Sequence, residues 1–241
     1  MLRIKHQYDN LQNLLQLRED MVNMVVHDLR NPLTSIFLGL ENLSNIEHPR
    51  EKQKHKLARM YSSAQTLQLL IDDLLTMARL ESGKVSPNCT EADIAELIHS
   101  VVSNFKAIAA QKNQVLGIQI PQESHKTVYV DVTMIHRVLD NLVSNAIKFS
   151  PEDSQIIVRV EFLPSNSCKI QVIDCGSGVP DELQHKIFEK YQIGTSIPDV
   201  TQIGLGLAFC KMVVEAHQGE ICIKNNHSQG ATFEITLATS K

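Results

Sequence analysis

From Ile4 the apolar positions form two seven-residue ladders. One holds Ile4, Leu11 and Val25, interrupted by Arg18; the other holds Tyr8, Leu15, Val22 and Leu29. The offset of four is the d-to-a spacing of a coiled-coil seam, so the pattern predicts a helix that pairs with another helix. With Val22 at a and Val25 at d, His27 falls at f, on the outer face. Pro32 cannot donate to the carbonyl of Asp28 and its ring crowds that carbonyl, which predicts a kink just after His27 rather than a helix end. The pattern resumes at Leu33, Ile36, Phe37, Leu40 and Leu43 and breaks at Asn45–Arg50, where Pro49 marks a turn. A second helix repeats Leu57, Ala64, Ile71, Ala78 and Met60, Leu67, Leu74, and stops at Glu81-Ser82-Gly83 with Gly83 as C-cap. Two helices joined by a short turn form an all-α hairpin whose apolar stripe is open when alone. Two hairpins make a four-helix bundle, so a homodimer is expected.

After Ser82–Asn88 the periodicity changes. Ile94, Leu97, Ile98, Val101, Val102 and Phe105 predict a helix; 115–121 and 127–130 read as strands; a helix is predicted over 132–149 and another over 205–218. Strands are expected at 155–162 and 168–174, and 220–224 with 231–237 reads as a hairpin. Helices mixed with mostly antiparallel strands predict an α+β sandwich, with helices on one face of a sheet. The expected division is 1–83 for the hairpin, 84–88 for a linker and 89–241 for the sandwich.

Composition narrows the function classes. A chain of 241 residues with net charge -4 is not basic enough for an ordinary nucleic-acid binder. No run approaches the roughly 20 apolar residues of a membrane helix, and MLRIKHQYDN is too polar for a signal peptide. The five cysteines show no CxxC or Cys/His ligand spacing and read as reduced, mostly buried thiols. The histidines other than His27 read as structure or surface.

Three stretches carry candidate chemistry. Asn141 and Asn145 sit at i and i+4 on one helical face with Lys148 three further on; amide oxygens and a lysine can hold Mg²⁺ and triphosphate oxygens together, or the set is a solvated face. Asp174-Cys175-Gly176-Ser177-Gly178 follows an apolar strand; an acid there can accept from an exocyclic amine such as that of adenine, and glycines permit close approach, or the stretch is a plain turn. Gly204-Leu205-Gly206 opens a helix whose free N–H groups and dipole favour a phosphate. The long polar segment from Pro180 to Ile203 suits a mobile lid.

The order of these elements, after a hairpin carrying His27-Asp28-x-x-Asn31-Pro32, resembles the transmitter core of the sensor histidine kinases of two-component systems. That core is a dimerisation and histidine-phosphotransfer hairpin followed by an ATP-binding domain of the gyrase/Hsp90/kinase/MutL (GHKL, Bergerat) type. His27–Thr34 looks like the histidine box, Asn141–Phe149 the asparagine box, Asp174–Gly178 and Gly204–Gly206 the two glycine boxes, and Ile187–Tyr191 the phenylalanine box. The resemblance implies that His27 attacks the γ-phosphate of ATP, that Asp28 orients the ring or takes its proton, and that Arg30 steadies phosphate charge. It implies that Asn145 ligates Mg²⁺ with Asn141, Lys148 and Phe149 near the phosphates, and that Asp174 binds the adenine amine. Gly176 and Gly178 then line the pocket, while Gly204, Leu205 and Gly206 shape the phosphate end of the lid. The implied partner is a receiver domain of a response regulator, docked near Thr34–Leu38 and the second helix. Asn31, one turn beyond His27 on the same face, implies water positioning against the partner's phosphoaspartate, hence phosphatase activity; its other reading is a polar residue beside a proline kink.

Three positions depart from the family pattern. Gln202 stands where the second glycine box has a further glycine. Ile193 stands where an arginine reaches the phosphates, and Lys190 offers a point charge in its stead. Phe149 stands where tyrosine is common. Two other readings stay open: a dimeric nucleotide-binding scaffold with weak or no kinase activity, and an ATPase clamp of the same nucleotide fold. The expected location is cytoplasmic, either for the protein itself or as the cytoplasmic portion of a larger membrane-bound sensor, with the ATP domain swinging on the 82–88 linker.

Overall fold

The computed structural model describes residues 29, 32–40, 50–83, 85–121, 127–164, 166–189, 205–226 and 229–239. The chain divides into two compact units, one ending at Ala78 and the other beginning at Arg79. Residues 32–40 of the first are helical (α1), and α2 spans Arg50–Glu81, its last turn belonging to the second. The first ladder, from Ile4 to Val25, and the passage through Arg30 and Asn31 lie outside the described residues. Gly39 brings α1 hard against α2: a Cβ there would overlap Cγ of Met60. The predicted C-cap is present, with Gly83 at φ +64 and its N–H on the Leu80 carbonyl at 3.1 Å.

The ladders of α2 part company. Met60, Leu67 and Leu74 are half-buried. Leu57, Tyr61, Ile71 and Leu75 stay 38–68% exposed, and with Ala64 and Ala78, also exposed, they follow alternating four- and three-residue spacing in which the polar Gln68 fills the one step between Ala64 and Ile71. On α1, Leu33, Phe37 and Leu40 are likewise open.

The second unit starts with β1 (Thr90–Asp93), a strand that its polar sequence conceals. It pairs antiparallel with β3 (Thr127–Val130) as a separate two-stranded sheet. Asp93 caps α3 (Ile94–Ala110), accepting from the N–H groups of Ala95 at 2.8 Å and Glu96 at 3.3 Å. Asp131 caps α4 (Val132–Phe149) through the Met134 N–H at 3.1 Å. The helix ends at Ser150, whose extended φ −74, ψ 143 is what Pro151 imposes on its predecessor.

The main sheet has the order β2-β4-β5-β7-β6, formed by Val115–Gln119, Gln155–Leu163, Ser167–Ile173, Ala231–Ala238 and Glu220–Asn225. All pairs are antiparallel except β2 with β4. One row across the five strands, Ile118–Val158–Val172–Phe233–Ile223, faces the helices. The next row, Gln119–Arg159–Gln171–Glu234–Cys222, faces the other way. Helices α3, α4 and α5 (Gly206–Ala216) contact β2, β5 and β6, and α4 also packs against both its neighbours. The core between sheet and helices includes Ile98, Leu139, Leu142, Ile156, Ile170 and Ile235, all within 1% of full burial; each such side chain stabilises by about 1.5–3 kcal/mol. The open face is polar: Lys224 Nζ lies 2.7 Å from Glu234 Oε2, and Gln171 donates to Glu234 Oε1 at 2.7 Å.

The expectation of mostly buried cysteines needs correction. All five are free; Cys168 and Cys210 are buried, but Cys89, Cys175 and Cys222 are partly open. Cys89 directly precedes β1, Cys175 lies just past the end of β5, and Cys222 is on the sheet's open face, where the pleat points it away from the core. Burial pushes the Cys168 thiol up to about 12. Two histidines have definite structural partners. His217 is buried, its Nε2 accepting from the Asp131 N–H at 3.0 Å with Nδ1 2.7 Å from the Val213 carbonyl; His136 Nδ1 lies 3.1 Å from Asp140 Oδ2. Among the described residues no helix is long and apolar enough to cross a membrane.

Candidate functional site

Helix α4 supplies the spine. Ile135, Val138, Leu139, Leu142, Val143, Ala146 and Ile147 are buried against the fold, which leaves Asn141, Asn145 and Lys148 half-buried along the opposite side. Two glycine segments approach that helix. Gly206, the first residue of α5, lies so close to Asn141 that a Cβ would sit 3.6 Å from the amide's Cγ and Oδ1. Gly176 lies against the other end: a Cβ would be 2.9 Å from the Phe149 carbonyl oxygen. The two approaches are eight residues apart, about 12 Å along the helix axis.

Asn141 Nδ2 is buried and has no hydrogen-bond partner among the described residues. A buried donor left so calls for a partner from outside those residues, such as water or a ligand. Among the described residues no side chain caps α5, and a helix start of that kind favours an anion, here beside that amide. Lys148 adds positive charge; burial, then the nearby Lys112 charge, holds its ammonium below the usual lysine range. Its Nζ is 5.6 Å from the centre of the Phe149 ring.

Asp174 lies at the end of β5, 5% exposed. Its Oδ1 accepts from the N–H groups of Gly176 at 2.8 Å and Ala231 at 3.1 Å. Oδ2 takes no hydrogen bond from the described residues, which leaves a carboxylate acceptor for an amine. Burial raises the Asp174 pKa, against the two N–H bonds that lower it. Gly178 stands at φ +72, a left-handed conformation open to glycine. Asn225 grips the next residue, its Oδ1 accepting from Val179 N–H at 2.9 Å and its Nδ2 donating to Val179 O at 2.7 Å. Asn226 Nδ2 donates to Asp174 O at 2.9 Å. Neither asparagine stood out in the sequence, because a turn following a strand carries no mark of the loop it will hold.

The structure thus brings Asn141, Asn145, Lys148, Phe149, Asp174, Gly176, Gly178, Leu205 and Gly206 into one unit, around α4 and the strand end beside it. His27, Asp28, Arg30, Asn31, Lys190 and Gly204 lie outside the described residues, as do Ile193 and Gln202. Ile187 and Phe188 are buried on a 3₁₀ turn, and the Phe188 ring meets Phe233 edge-on at 6.4 Å. The orphaned amide, the uncapped helix beside it and the half-used buried carboxylate fit a nucleotide with its amine at Asp174 and its anionic end at Gly206.

Comparison with known proteins gives two family matches. Residues 130–241 match the family described as histidine kinase-, DNA gyrase B- and HSP90-like ATPase. Residues 17–83 match the His Kinase A (phospho-acceptor) domain. The chain is 29% identical to the adaptive-response sensory kinase SasA of Crocosphaera subtropica, covering 98% of this chain and 63% of that protein. It is 31% identical to the sensor protein EvgS of Escherichia coli K12, over 88% of this chain and 18% of that protein. The crystal structure of histidine kinase ThkA in complex with response regulator protein TrrA is similar at TM-score 0.66 and 25% identity, over 95% of this chain and 64% of that one.

Proposed function

This chain belongs to the sensor histidine kinases, carrying a phospho-acceptor domain followed by the ATPase domain in one polypeptide, and from that premise we propose that it phosphorylates itself on His27 with ATP and passes the phosphoryl group to an aspartate of a response-regulator receiver domain. The observation that carries the reading is α4 bracketed by Gly206 at Asn141 and by Gly176 at Phe149, with a buried orphan amide at one end and Asp174 near the other.

In this reading Asp174 Oδ2 accepts from the adenine amine, and Gly176 and Gly178 let the base approach the backbone. Asn141, Lys148 and the start of α5 at Gly206 face the phosphates, and Phe149 packs beside Lys148; Leu205, Gly204 and Lys190 are assigned to the same end by the family's pattern. Mg²⁺, when bound, neutralises phosphate charge; Asn145 offers it an amide oxygen, a hard donor of the kind that ion takes. A neutral imidazole nitrogen of His27 attacks the γ-phosphorus, the bond to the bridging oxygen breaks, and ADP leaves. Asp28 holds the proton on the other ring nitrogen and fixes the tautomer, and Arg30 steadies the transferring group. Catalysis is chiefly positioning and charge neutralisation. Asn31 orients water toward the partner's phosphoaspartate, which adds phosphatase activity.

The open seam of α2 supports homodimerisation through the hairpin. ThkA, a relative in fold and sequence, was crystallised with a response regulator, which supports the same class of partner here. The reading places the work in the cytoplasm, where ATP and such regulators are, with no nucleic-acid partner and no membrane contact of this chain's own.

The test is incubation of the full chain with γ-labelled ATP and Mg²⁺. The expected label is acid-labile and base-stable, and His27→Gln abolishes it while a non-hydrolysable ATP analogue still binds. Label retained by His27→Gln, or bound nucleotide with no label in the unmutated chain, sinks the proposal.

A further inference from the structure

The last carbonyls of a helix lack partners within it and carry its negative dipole end. At α4 they are met by two side chains from the loop between α3 and β2. Gln114 Nε2 lies 3.1 Å from the Ile147 carbonyl oxygen, 2.9 Å from that of Ser150 and 3.0 Å from that of Pro151. Lys112 Nζ lies 3.1 Å from the Ile147 carbonyl oxygen and 3.5 Å from that of Lys148. Gln114 is only 5% exposed. Its Oε1 is buried with no partner among the described residues, so the amide is committed to donation; turning it over would aim its oxygen at three carbonyls.

The loop that carries these side chains is itself tied down. The Gln114 N–H donates to Ala109 O at 3.0 Å, the Val115 N–H to Ser154 O at 2.9 Å, and the Asp153 N–H to Lys112 O at 3.2 Å. From the opposite side, Gly176 meets the Phe149 carbonyl and the Cys175 N–H donates to Ser150 Oγ at 3.3 Å. The turn from Ile147 to Pro151 is therefore held between the 112–114 loop and the 174–178 loop. Lys148 belongs to that turn, and Asn145 lies one turn before it.

We infer that Gln114 and Lys112 are positioning residues for nucleotide binding: acting through the end of α4, they hold Asn145 and Lys148 at a fixed distance from the Asp174–Gly178 loop, and so set how the phosphates are met once the base is seated. The inference rests on the nucleotide reading above. It makes the phosphate end, and not the base end, sensitive to residues that touch no nucleotide. Lys112 acts in a second way, since its charge stands near Lys148 and, after burial, helps hold that ammonium below the usual lysine range.

The experiment measures affinities of the full chain for ATP, with Mg²⁺, and for AMP, across pH. Gln114→Met removes the donor at similar volume. It is expected to weaken ATP about tenfold, the scale of one net hydrogen bond, with AMP binding unchanged. Lys112→Met is expected to weaken ATP several-fold and to move the basic limb of the ATP profile to higher pH, because Lys148 loses a like charge; Lys112→Arg restores both. Equal losses for ATP and AMP mean a merely structural role and overturn the inference, as does ATP binding that neither variant alters, or Lys112→Arg behaving as Lys112→Met. Should Gln114→Met fail to fold, the two Lys112 variants decide. An unmutated chain that binds AMP and ATP alike, or neither, brings down the nucleotide reading and this inference with it, an outcome visible before any variant is made.

Discussion

The two units solve opposite problems. The ATP-binding unit closes its apolar surface within one chain: the sheet row from Ile118 to Ile223 faces three helices, and the polar groups that remain converge on α4. The hairpin leaves its apolar surface open, with Leu57, Tyr61, Ile71 and Leu75 exposed along one stripe. In the first, function follows from which distant segments meet. In the second, it follows from where a residue falls on a helical repeat. Damage to the hairpin should therefore show in assembly, and damage to the sandwich in ligand affinity and stability.

The strongest break of that contrast is Ile71→Asp with Leu75→Asp. Both positions are open in the single chain, so the monomer tolerates them, but a dimer would have to bury two unpaired charges from each chain. Its dissociation constant is expected to rise by on the order of a thousandfold, read by sedimentation, with ATP affinity unchanged. An intact dimer would mean that the seam lies elsewhere.

Asp174→Asn is the counterpart in the other unit. The replacement keeps an acceptor for the Gly176 and Ala231 N–H groups but presents a donor to the adenine amine. ATP affinity is expected to fall about a hundredfold, the scale of a charged hydrogen bond. Stability should move the other way. Burial raises the folded-state pKa of Asp174, so its contribution is fully present below the ordinary carboxylate range and is lost as pH rises through the raised value. Melting temperatures from acid to neutral pH should show that loss in the parent and not in the variant.

What is legible in the sequence also divides along this line. The α2 repeat and its end at Gly83 are local: a heptad and the glycine that follows it each state their own consequence. Asn141, Asp174 and the glycines could be singled out only through the order of their segments, which carries the family resemblance; their meeting around α4 is what the fold adds. β1 was not legible, since Thr90-Glu91-Ala92-Asp93 has neither alternation nor bulk and becomes a strand only by pairing with β3. The parallel partnership of β2 with β4 has no local mark either. Gln114, Asn225 and Asn226 are ordinary polar residues until the fold sets them 33, 46 and 52 positions away from the groups they hold.

One substitution made in both units gives the smallest effects and the sharpest contrast. At Gly230 the backbone is at φ +91, and a Cβ would overlap the Asp174 carbonyl oxygen, which is main chain and already bonded to Asn226. Gly230→Ala has nothing that can step aside, and is expected to destabilise by about 2 kcal/mol or more, lowering the melting temperature of its unit by roughly 4–8 °C. At Gly39 the obstacle is Cγ and Sδ of Met60, a side chain with three rotatable bonds that swings clear at small cost. Gly39 also lies in a helix, where Ala gains roughly 0.5–1 kcal/mol over Gly. The two terms nearly cancel, so Gly39→Ala should shift hairpin stability by less than about 0.5 kcal/mol in either direction. Adding Met60→Ala removes the obstacle and should leave the Gly39→Ala step stabilising when measured against Met60→Ala alone. A large loss from Gly39→Ala in both backgrounds would mean that the two helices cannot part at this crossing, and that the hairpin is packed as tightly as the sandwich.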